Sequence, residues 1–110
     1  MIRNPNSSRS KRWLERNSLN NDSCKRYVEK LCKFNEFEYF KFGEYDCDEQ
    51  SLWITYGLHS YVIEADKEKI YLKVFEKNIN NKNKDRYHLS DKYFSGDSCW
   101  YECLKWIKNR

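Results

Sequence analysis

The side chains here with the reach for catalysis, metal binding or strong electrostatic docking are two histidines, five cysteines and a short run of carboxylates. His59 leads into an apolar run and His88 stands apart from it. General acid–base work needs a second titrating group or an orienter beside the first, and the sequence supplies neither. The plain reading of His59 is a half-exposed strand histidine; a small ribonuclease-type toxin built on it is the lesser functional alternative. Cys99 and Cys103 stand four apart, on one side of a helix. Cys24 and Cys32 are eight apart, about 80° around a helix, and do not point together. Without a Cys-x-x-Cys pair, the thiols read as small buried apolar side chains rather than zinc ligands. No metal, cofactor or catalytic residue is assigned. Gly43, Gly57 and Gly96 are isolated, so no glycine-rich phosphate loop is expected.

Glu44, Tyr45, Asp46, Asp48 and Glu49 place four carboxylates and a ring within six residues. The run lacks the central Gly and terminal Glu of a calcium loop. It reads as a solvated turn or, functionally, as a patch that docks on the Lys/Arg-lined nucleic-acid channel of another protein. The basic material lies at Arg9, Lys11, Arg12 and Arg16, and again at Lys77, Lys82, Lys84 and Arg86. With Tyr and Trp nearby, such cations suit a single-strand binder: charges for phosphates, rings for bases. The net charge of +4 hides this division: residues 1–34 carry +6, residues 35–76 carry −6 and residues 77–110 carry +4.

These groups must be held by elements. Residues 1–12 read as a flexible basic arm, with a short helix over 10–18 anchored by Trp13 and Leu14. Residues 13–110 form the folded domain. Asn20-Asn21-Asp22-Ser23 is a helix-start cluster, and Cys24, Tyr27, Val28, Leu31 and Phe34 behind it make an apolar stripe for a helix over 23–34. Strands are expected over 35–43, 52–56, 60–65 and 70–75, joined by short polar turns that favour an antiparallel meander. Residues 77–86 are a basic low-complexity loop, and 87–94 a short fifth strand or an ordered loop. Gly96-Asp97-Ser98 opens a last helix with Trp100, Cys103, Leu104 and Ile107 on its apolar side.

The chain is therefore expected to be a two-layer α+β domain of order α-β-β-β-β-α. A four-stranded antiparallel sheet, or five-stranded if 87–94 joins it, would carry the two helices on one face. The other face would hold many of the aromatics and be partly open. The α-β-β-β-α portion, residues 23–107, resembles a double-stranded-RNA-binding domain in topology, which would imply contact with RNA. It departs from that family by an extra strand, and by Asp97-Ser98-Cys99-Trp100 where the family sets lysines on phosphates.

With 110 residues the chain supports one core. An aromatic content of 17% excludes a disordered tail, and no apolar run approaches the ~20 residues of a membrane span. An odd cysteine count and no apolar leader in Met1–Ser8 point to a reducing, cytoplasmic setting. Eleven Asn and fourteen Lys beside the single Ala65 point to AT-rich coding, as in a phage or mobile element of a low-GC host. The leading expectation is a small non-catalytic inhibitor, anti-CRISPR-like, that blocks a host nucleic-acid enzyme by stoichiometric protein–protein contact through residues 44–49. The alternative is a domain that binds RNA or DNA directly through Arg9, Lys11, Arg12, Lys82, Lys84 and Arg86. No membrane partner is expected.

Overall fold

The computed structural model describes residues 5–45, 49–80 and 86–110, with side chains from Ser10 onward. Helix α1 spans Pro5–Asn17 and α2 spans Asp22–Phe34. The strands are β1 (Tyr39–Glu44), β2 (Gln50–Tyr56), β3 (His59–Ala65), β4 (Leu72–Asn78) and β5 (His88–Phe94), and α3 (Cys99–Lys108) closes the chain. The strands pair antiparallel in the order β1-β2-β3-β4-β5, so the residues left between strand and loop do form a fifth strand. Its pairing with β4 is irregular, with a register shift between Lys73 and Phe75.

Where an arm over 1–12 and a short helix over 10–18 are expected, one helix runs from Pro5. Proline suits a first helical position, because the N–H it lacks has no partner there. The far end of α1 is tied to α3. The Asn17 amide donates to the Trp13 carbonyl (3.0 Å), while Cys99 Sγ donates to Asn17 Oδ1 (3.2 Å) and Trp100 Nε1 to the Asn17 carbonyl (2.9 Å).

Helix α2 starts where its cap residues place it: Asn21 Oδ1 accepts from the Ser23 N–H at 2.9 Å. It ends in a Schellman turn, with Glu36 N–H donating to the Lys33 carbonyl and Phe37 N–H to the Cys32 carbonyl. That turn takes up residues 35–38, which is why β1 begins at Tyr39 and not at Asn35. Gly57, at φ 62, makes the two-residue link between β2 and β3.

The core lies on one face of the sheet. Leu52, Ile54, Tyr61, Ile63, Leu72 and Val74 pack against Cys24, Val28 and Cys32 of α2 and Trp100, Cys103, Leu104 and Ile107 of α3. Each fully buried aliphatic side chain is worth roughly 1.5–3 kcal/mol. The stripe expected on α3 is buried throughout. On α2 the stripe is corrected: Cys24, Val28 and Cys32 are buried and Leu31 is half-buried, whereas Tyr27 and Phe34 are 49% and 75% exposed. The result is one compact α+β domain, and no helix among the described residues is long and apolar enough to cross a membrane.

Candidate binding face of the sheet

Strand pairing dictates what shares the face away from the core. Tyr39, Thr55, Ser60 and Lys77 form one row across β1 to β4. Lys41, Trp53, Val62, Phe75 and Leu89 form the next, reaching β5. Gly43 and Ser51, then Glu64, Lys73 and Tyr93, form the third, joined by a 2.8 Å hydrogen bond from Ser51 Oγ to Glu64 Oε2.

Tyr45 and Tyr87 fold onto these rows from the flanking loops. Tyr45 lies 5.4 Å from Trp53, 5.2 Å from Phe75 and 5.7 Å from Tyr87, and Trp53 lies 5.8 Å from Tyr87. The pairs run from tilted to edge-to-face, which suits the ring quadrupoles. Together they cover Val62, which is fully buried. The Tyr87 hydroxyl is hydrogen-bonded to Ser60, an interaction that lowers its pKa, but burial outweighs it and pushes the phenol up.

Lysines stand over these rings. Lys41 Nζ is 5.2 Å from the Trp53 ring centre and Lys77 Nζ 4.8 Å from that of Tyr87. Among the described residues neither cation is in an ion pair. Lys73 is different: it lies 3.5 Å from the buried Glu64 carboxylate and 3.6 Å from Asp66. Glu38, Tyr39, Lys41, Trp53, Thr55 and Tyr87 are among the residues lining an open groove of about 490 Å³, with Tyr39 68% exposed at its rim. The arrangement offers aromatic surface, two ammonium groups and hydroxyls, with one carboxylate, Glu38, in the groove.

Compared with models of protein families, with curated proteins and with solved structures, the chain matches none.

The expected site residues are scattered. Glu44 is exposed at the end of β1. Glu49 is 5% exposed and accepts a 2.6 Å hydrogen bond from Ser18 Oγ, so its carboxylate faces the α1–α2 turn and not a partner. Tyr45 belongs to the aromatic cluster. Asp46, Asp48, Lys82 and Lys84 lie outside the described residues, as does Cys47. Arg9 is within α1, and Lys11 and Arg12 are exposed there. Of the expected cations among the described residues, Lys77 stands over the Tyr87 ring on the aromatic face, and Arg86 is exposed immediately before Tyr87.

His59 is half-buried at the start of β3, its ring 6.0 Å from that of Tyr61, and His88 is exposed opposite Glu76. The four described cysteines are free and buried. Burial pushes the Cys24 thiol up to about 11 and those of Cys32 and Cys99 up to about 12, with Cys103 well above its ordinary value. Such thiols stay protonated near neutrality and are poor nucleophiles. Among the described residues no group of three or more His, Cys, Asp or Glu is placed to hold a metal ion.

Trp53, Tyr87, Lys41 and Lys77 were not singled out as a group by their sequence positions. A signal does exist: in Phe40-Lys41-Phe42 and Leu52-Trp53-Ile54 the middle residue is out of phase with its core neighbours. Only the strand register shows that these middle residues are adjacent.

Proposed function

We propose that this protein is a non-catalytic binding module that lays single-stranded nucleic acid across the helix-free face of its sheet. One observation carries the reading: on a single face Lys41 and Lys77 stand over Trp53 and Tyr87, rings that are themselves 5.8 Å apart. Cations beside aromatic faces are what a strand of stacked bases and phosphates requires, and they favour no particular sequence. Arg86, exposed immediately before Tyr87, would add a further positive charge. An inhibitor that blocks a host nuclease through residues 44–49 is the second reading, but it loses Glu49 to the interior, and no observation here favours it over the first.

The test is a fluorescence titration with a short uridine oligomer, its deoxythymidine counterpart and a duplex of equal length. The single strands should bind and the duplex should bind weakly. Tyr39→Ala, at an exposed position, should cost about 1–3 kcal/mol of affinity, the range for one stacked base. Lys41→Glu with Lys77→Glu should flatten the slope of log K against log salt by roughly 1.4, at about 0.7 per phosphate contact on a single strand. Lys11→Glu with Arg12→Glu should change little. Binding that ignores the sheet variants and follows the α1 pair would overturn the reading.

A further inference from the structure

The sheet has two edges, and they differ. At β5 the pairing with β4 is irregular, with a register shift between Lys73 and Phe75, a device that discourages further strand addition. At β1 the register with β2 runs unbroken from Tyr39 to Glu44. Grooves flank this strand on both sides. One of about 500 Å³, on the helix side, is lined by Lys25, Arg26, Phe40 and Phe42. The other is the groove on the aromatic face, and Phe40 and Lys41 line both. An added strand would therefore find room for its side chains above and below the sheet.

We propose that β1 pairs antiparallel with β1 of a second copy, giving a two-fold dimer with one continuous ten-stranded sheet. The strand's own sequence selects the register. Opposed residues share a face, so the two-fold axis must pass through a residue and not between two. Centring on Phe40 or on Gly43 pairs only residues 39–41 or 42–44 of the strand, whereas centring on Lys41 or Phe42 pairs 39–43 or 40–44. Within the strand, the Lys41-centred register sets Lys41 against Lys41, a like-charge contact, whereas the Phe42-centred register has none among residues 39–44. It stacks Phe42 on Phe42, sets Phe40 opposite Glu44 and lets the long Lys41 side chain lie across Gly43 of the second copy. Both aromatic faces then lie on the same side of the joined sheet, with their Lys41–Trp53 grooves side by side at its centre. This goes beyond the nucleic-acid reading and is tested without nucleic acid, so either can fail alone.

The experiment is sedimentation equilibrium of the full chain over a concentration series. The wild type should approach the mass of two chains as concentration rises. Gly43→Lys opposes lysine to Lys41 twice per dimer and should leave a monomer. The variant is compatible with the fold, since a Cβ at Gly43 meets nothing closer than Trp53 Nε1 at 3.6 Å. Combining Gly43→Lys with Lys41→Glu should restore the dimer, and Gly43→Glu alone should tighten it; circular dichroism checks that each variant is folded. A wild type of one-chain mass throughout, a dimer unmoved by Gly43→Lys, or no recovery in the double variant would overturn the inference.

Discussion

Glu36 terminates α2 with φ 61, a left-handed conformation that glycine adopts freely and a side chain resists. Its backbone N–H closes the Schellman turn, and the side chain is exposed. Glu36→Gly should therefore stabilise the protein by about 1 kcal/mol. For a domain of this size that raises Tm by roughly 4–8 °C, measurable by calorimetry. The buried thiols give a prediction in pH. Folding raises the pKa of Cys24 from 9.0 to about 11 and that of Cys32 to about 12, with Cys99 and Cys103 shifted the same way. Between those values the folded state holds protons that the unfolded state has released. The contribution is thus complete below pH 9 and is lost as pH rises towards 12. Urea midpoints should fall steadily above pH 9. A variant with Ser at the four described cysteines should lack the part of that fall that comes from their thiols.

Among the elements, α2 shows how a helix can be legible while its orientation is not. Its cap and periodicity are plain in Asn21-Asp22-Ser23 and the residues behind them. The expected stripe shares Cys24 and Val28 with the buried one; whether Tyr27 and Phe34 or Cys32 completes it depends on the sheet, where Leu52, Ile54 and Ile63 lie in one core with Cys24, Val28 and Cys32. Val28→Asp should cost about 4 kcal/mol or more, because it buries a charge at a fully buried position. Phe34→Lys should stay within about 0.5 kcal/mol, being a surface change. Melting curves check both, and the Phe34 variant is the one that separates the two stripes. The strands were legible for a similar reason: alternation marks Leu52/Ile54, Ile63/Ala65 and Leu72/Val74 as one face. Tyr87-His88-Leu89 lacks that alternation, and β5 forms because Leu72 and Phe75 of β4 supply backbone partners for Phe94 and Leu89. The aromatic face could not be read along the chain, since it joins residues of five strands with Tyr45 and Tyr87 from two loops.

For the whole molecule, several carboxylates of the acidic middle block are held by partners within the fold. The middle block is acidic, yet Glu49 is held by Ser18, Glu64 by Ser51 and Lys73, Asp66 by Lys73, and Glu76 by Arg110. Lys73 and Arg110 offset part of that negative charge, while Lys41 and Lys77 stand over rings on the sheet face. The four tryptophans report on it separately: Trp53 lies on that face, Trp13 is on α1, and Trp100 and Trp106 are on α3. Recording the four indole N–H resonances by NMR while adding a single-stranded oligonucleotide is the most direct test. The account predicts that the Trp53 signal shifts and saturates with the strand while the other three stay close to their starting positions. A titration in which Trp53 is unmoved and Trp13 responds would place the binding surface on α1 and contradict it.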